Sequence, residues 1–226
     1  MREREGALRT VAEQFASLKV RNLNQPAHPL VPLYGEIEFE KRRLSQPNKS
    51  TFGLLYDGFS LMNNLHLLIP DSENNKQHIH VVFTNQLIGT YDENDRRYHA
   101  RVAVFGYPNI LSSTGLVEAP AKPREYYLLK QRYESIKMAD AVDIELKEQF
   151  RDNFIDFDDK RLTDVVKGYV AQAVFYHLTG EPFCSDSNCR LFNAHWQSEV
   201  LAAQLNGRDF CAKHEDIIRN LSGEMI

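Results

Sequence analysis

Three cysteines and one histidine carry the strongest chemical signal in this chain. Cys184 and Cys189 form a Cys-x4-Cys pair, Cys211 and His214 a Cys-x-x-His pair, and 21 residues separate the two. Zinc takes thiolate and imidazole ligands in fours, and a closed Cys3His set leaves no position open for water or substrate. The pattern predicts one structural zinc ion per chain. Small buried thiols are the bland alternative, and a disulfide is a third reading. Three is an odd number for pairing, nothing resembles a secretory signal, and a reducing compartment keeps thiols free. Cys211 and His214 lie one turn apart on an expected helix over 210–221, so both can reach one ion. Ligand thiols must deprotonate, so such a clip weakens in acid.

Other polar side chains are candidates for different chemistry. His177 shares a helix face with Leu162, Val166, Tyr169, Val170 and Ala173, which reads either as a core histidine or as a metal ligand. Glu118 sits in a hydrophobic Val-Glu-Ala-Pro loop, where a carboxyl can become a general base; an ion pair with Lys122 or Arg124 is the alternative. His195 opens a helix beside Trp196, the only tryptophan, which is expected to pack on the metal lobe. His177, His195 and Glu118 are therefore the catalytic candidates. His78 and His80 alternate on an expected strand and point to one face. His99 and Arg101 share another, and would make a basic cleft if the two strands were neighbours. Asp156, Asp158 and Asp159 read as a helix N-terminus. There is no P-loop, G-x-G-x-x-G, nucleophile elbow or kinase signature.

Positioning these groups requires an α+β chain. A helix is expected over 8–19, then an extended connector through Pro26, Pro29 and Pro32. Strands are expected at 33–40, 52–56, 65–69, 78–84, 98–105 and 111–117, by alternation or by short apolar runs. Asp57-Gly58 and Asn63-Asn64 read as turns, and 71–77 and 91–96 as polar loops. Helices follow at 124–138, 143–150, 160–179, 194–205 and 210–221, with Gly180 stopping the third of these. The expected partition is an α+β domain over 1–180, including an N-terminal helix and connector over 1–33, and a metal-binding helical lobe over 181–226 packed on it.

The 226 residues carry a net charge of −4 and the pI is near 6.1, which argues against broad binding to a phosphate backbone. No stretch approaches the ~20 apolar residues that span a bilayer. The expected location is the cytoplasm, with no membrane partner.

The run His177-x-x-Gly180-x-x-Phe183-Cys184-x4-Cys189 resembles the end of the archaemetzincin motif, H-E-x-x-H-x-x-G-x-x-H-C-x4-C-x-M, which a further cysteine pair follows. Archaemetzincins are zinc-dependent peptidases of the metzincin group. A closer similarity is to a group of archaeal proteins regarded as zinc peptidases. Its phrases run from Gly115 to Tyr126 and from Cys189 to Gln197. The resemblance implies a zincin-like mixed sheet followed by helices, and a second, structural zinc. It does not carry the catalysis over. The motif's first histidine falls on Ala173, its glutamate on Val174, its third histidine on Phe183 and its methionine on Leu191. A zincin needs three protein ligands and a general base.

Three functions are open at this stage. The first is a non-catalytic, archaemetzincin-like protein whose cleft binds peptide or protein by strand addition. The second is an active zinc metallopeptidase with a rearranged site using His177, His195 and a histidine of the sheet. The third is a zinc-stabilised nucleic-acid or ribosome module, motivated by Lys41-Arg-Arg43 and Arg96-Arg97. No substrate or oligomeric state follows from the sequence.

Overall fold

The computed structural model describes residues 2–28, 31–46, 53–135, 145–207 and 209–223, with backbone only at 2–5, 222 and 223. The architecture is α+β, in two compact units, Met1–Gly115 and Leu116–Ile226. The expected boundary at 180/181 falls inside the second unit.

In the first unit, α1 (Arg2–Ser17) packs on α2 (Tyr34–Ser45) through Ala12, Ala16 and Ile37. Glu40 of α2 is fully buried, yet it is matched on every side. Its carboxylate meets Lys19 Nζ at 2.8 Å, Arg43 Nε at 2.6 Å and the Tyr56 hydroxyl at 2.8 Å. A buried charge is tolerated only when paired in this way.

Among the described residues six short strands form two mixed sheets. One is ordered β1 (Leu55–Asp57), β3 (Leu87–Asp92), β4 (Arg97–Arg101), and the other β2 (Val81–Thr84), β6 (Asn109–Ser112), β5 (Ala103–Val104). β1 runs parallel to β3 and β2 parallel to β6, while the remaining pairs are antiparallel. Tyr56 and Ile88 of the first sheet share a core with Val104 and Ile110 of the second, closed by Leu18 and Leu61.

Several expected strands are helices instead. Residues 33–40 alternate, but the Leu33 N–H donates to the Glu36 carboxylate at 2.8 Å. That caps a helix whose buried Ile37 and Glu40 lie three apart. Residues 65–69 were expected to be extended. They hold instead the end of α3 (Gly58–His66) and the turn after it; α3 starts on an N-cap, Asp57 Oδ1 accepting from the Ser60 N–H at 2.7 Å. Asp57-Gly58 is therefore a helix start, and Asn63-Asn64 lies inside the helix. The expected strand over 98–105 divides between both sheets as β4 and β5. The one over 111–117 turns into α4 (Ser113–Glu118), and β3 has no expected counterpart. The expected starts at Phe52 and at 143–144, and the end at 136–138, lie outside the described residues.

The second unit is helical. It contains α5 (Arg124–Ser135), a helical turn at 145–149, α6 (Leu162–Thr179), α7 (Gln197–Leu201) and α8 (Ala212–Gly223). Gly180 ends α6 in the left-handed conformation (φ 80°) that glycine adopts without a Cβ penalty. α7 runs on into a π-helical turn, Ala202–Asn206. At its start Glu199 accepts from the backbone N–H groups of His195 and Trp196 at 2.8 and 3.1 Å. Buried Gln197 ties the unit's interior together. Its Oε1 accepts from Ile155 N–H at 3.0 Å and its Nε2 donates to Leu116 O at 2.8 Å. Among the described residues no helix is long and apolar enough to cross a membrane.

Candidate metal centre

The four ligand candidates converge. Cys184 opens on a short backbone pairing with the far side of its own loop, its N–H donating to Leu191 O at 2.8 Å. Inside the loop, Asp186 Oδ1 accepts from Asn188 N–H, and Asp186 O accepts from Cys189 N–H. This side-chain-braced turn carries Cys189 back toward Cys184. The other half is the start of α8. Cys211 immediately precedes the helix, and its carbonyl accepts from the His214 N–H at 2.9 Å, placing both side chains on one side of the first turn.

A tetrahedron with metal–sulfur bonds of about 2.3 Å and a metal–nitrogen bond of about 2.05 Å has S···S edges of about 3.8 Å and S···N edges of about 3.6 Å. Here Cys184 Sγ and Cys211 Sγ are 3.8 Å apart, and Cys189 Sγ and His214 Nδ1 3.6 Å. Cys211 Sγ to His214 Nδ1 is shorter, at 3.0 Å. All four atoms lie within 4.8 Å of one another. The cluster can hold a metal ion, and its donors are those zinc prefers.

The surroundings seal one side. Cys189 and His214 are buried, whereas Cys184 and Cys211 are half-buried. The Phe175 ring of α6 stands edge-on to the His214 imidazole, centroids 5.1 Å apart, and packs with Leu191 and Phe210. Burial pushes the Cys189 thiol up to about 11 and, with the Lys213 charge, holds His214 below its ordinary value. Burial also acts on Cys211, but the His214 N–H and the neighbouring thiols outweigh it and lower that thiol. A cation would replace the protons these groups hold.

The other candidates do not assemble. His177 is half-buried on α6, His195 is exposed, and Glu118 ends α4 in an exposed position. Partial desolvation raises the Glu118 carboxyl, with the Lys122 charge working against it. Within the second unit, among the described residues, the Cys3His set is the only group of three or more His, Cys, Asp or Glu ligands close enough to share an ion. Trp196 is half exposed, and its backbone pairs with Ala121.

His78 and His80 precede β2 and part company. His78 bonds the Asn75 side chain, and His80 packs on the Tyr107 ring. The strand of His99 and Arg101 pairs with β3, not with β2, so the expected basic cleft does not form. His99 instead meets Asp95 at 2.6 Å, and Asp92 completes a hairpin group at the surface. Lys41 and Arg43 are held by Glu38 and Glu40 at 3.0 and 2.6 Å. Asp159 and Asp156 pair with Arg161 and Lys147. Phe175 had no signature in the sequence as a wall of the cluster, since an aromatic residue at helical spacing reads as core.

A family model described as "Probable metallopeptidase family (DUF6775)" matches residues 2–221. No match was found among the curated proteins or among the solved structures.

Proposed function

The chain belongs to the probable metallopeptidase family DUF6775, and from that premise we propose that it is a zinc-binding member that binds peptide or protein without hydrolysing it. Cys184, Cys189, Cys211 and His214 would hold one zinc ion as a structural crosslink. The observation that carries this reading is the convergence of those four atoms at near-tetrahedral separations, two of them sealed from solvent. Zinc held by four protein ligands supplies rigidity and no activated water.

The archaemetzincin-like motif positions support the non-catalytic half of the reading. Ala173, at the first histidine's place, is fully buried and offers no ligand, and Phe183, at the third, is exposed. For the binding role, β2 lies at the edge of its sheet and carries Phe83 exposed. An extended peptide can add to such an edge by main-chain hydrogen bonds.

Elemental analysis of the purified chain, joined to cleavage of a broad peptide library with and without chelator, tests both halves. The expected result is one zinc per chain, unchanged in His177→Ala, and no chelator-sensitive cleavage. A second metal equivalent that His177→Ala removes, together with chelator-sensitive cleavage, would establish the active peptidase with a rearranged site.

A further inference from the structure

Gln204 and Arg190 stand outside the ligand set, yet each holds the other's main chain. Gln204 Nε2 donates at 2.8 Å to the carbonyl of Arg190, the residue directly after Cys189. Arg190 Nη2 reaches back to Gln204 O at 3.4 Å and to the Asp209 carboxylate at 2.9 Å. The Arg190 N–H donates to Asp209 O at 3.2 Å, two residues before Cys211. These contacts join the backbone beside one ligand pair to the backbone beside the other.

The surroundings are shaped for this arrangement. Gly168 lies in the interior of α6, where glycine is unfavourable and no turn requires it. A Cβ at that position would fall 1.5 Å from Gln204 Oε1, so the helix omits a side chain where the glutamine amide lies against it. The π-helical turn Ala202–Asn206 presents Gln204 to that space. Gln204 is only 2 % exposed, and its Oε1, like Arg190 Nε, is buried without a hydrogen-bond partner among the described residues. Such an atom is costly, so the site keeps this glutamine for the one bond it does make.

We propose that Gln204 and Arg190 are positioning residues that fix the Cys184–Cys189 loop against the start of α8 and thereby set metal affinity, an inference resting on the zinc reading above. Groups that orient ligands commonly change metal affinity on the order of 10- to 100-fold when removed. Gly168→Ala belongs with them, since it displaces the same amide.

The test uses the full zinc-loaded chain. Zinc affinity and release rate are measured by competition with a chromophoric chelator, and cobalt(II) loading reports the tetrahedral thiolate spectrum. Gln204→Met, Arg190→Met and Gly168→Ala are compared with Gln197→Met, which removes an equally buried glutamine bonded to backbone elsewhere in the unit. The first three are expected to weaken zinc binding about 10- to 100-fold, speed its release and perturb the cobalt spectrum. Gln197→Met should lower the unfolding midpoint and leave affinity and spectrum in place. Wild-type affinity in Arg190→Met and Gln204→Met, or an equal loss in Gln197→Met, overturns the clasp. If Gln204→Met fails to fold, Arg190→Met, whose side chain is 24 % exposed, decides by the same readouts. A wild-type chain that takes up no zinc overturns the metal reading itself, and is distinguishable because no variant is then needed.

Discussion

Stripping the ion from the Cys3His cluster should lower the thermal midpoint of the chain substantially. The lobe around the cluster has a modest apolar interior of its own, in which Phe175 and Leu191 are the large, fully or nearly buried side chains. Each contributes about 1.5–3 kcal/mol by burial. A ligand present at about 1,000 times its dissociation constant stabilises by about 4 kcal/mol, comparable to those two side chains combined. For a chain of this size each kcal/mol moves the midpoint by about 2–4 °C, so removal should cost about 8–16 °C. Calorimetry at fixed protein concentration, with buffered zinc or with excess chelator, measures this directly. Cys211→Ser, which breaks the set at a half-buried position, should melt at the same temperature in both buffers. A wild-type midpoint that moves less than about 2 °C while elemental analysis confirms removal would refute the coupling of ion to fold, as would an equal shift in Cys211→Ser.

Glu40→Gln should destabilise the first unit by about 3–5 kcal/mol in urea titration, because it leaves Lys19 and Arg43, 10 % and 7 % exposed, without their shared anion. A loss under 1 kcal/mol would mean the network is not needed. Phe175→Ala should cost about 3–5 kcal/mol and shorten zinc retention in chelator; stability lost with retention unchanged would separate the aromatic wall from the cluster. Asp159 is held below its usual 3.8 by the Arg161 hydrogen bond, with burial opposing. A carboxyl lowered in the folded state stabilises above its unfolded value, and that contribution is lost as pH falls through the folded one. The stability gap between wild type and Asp159→Asn should therefore hold near neutrality and close in acid below 3.8; a gap that persists there would contradict the pairing.

The ligand set could be read from the chain because its chemistry is local. Two Cys and Cys/His pairs of short spacing each need only a turn to bring their atoms together, and the structure places them so. α6 was equally readable, since its apolar spacing and Gly180 agree. Strand expectations fared worse where a single carboxylate decided the outcome. Glu36 caps a helix in a run whose alternation suggested a strand, and Asp57, read as part of a turn, caps another that runs into the expected strand over 65–69. β3 was missed because its residues mix polar and apolar types while being mostly covered on both faces. The Gln204 contact had no sequence signal: a glutamine near a helix end is ordinary, and only the missing side chain of Gly168 marks its place.

The uneven covering of the four side chains would give exchange of a bound ion a direction. A competing thiol or carboxylate can approach on the side of Cys184 and Cys211, which solvent reaches, and not past Cys189 and His214. Were the four side chains to hold a metal ion, Cys189 and His214 would grip it from the sheltered side, while the positions of Cys184 and Cys211 would be the ones a competitor meets first.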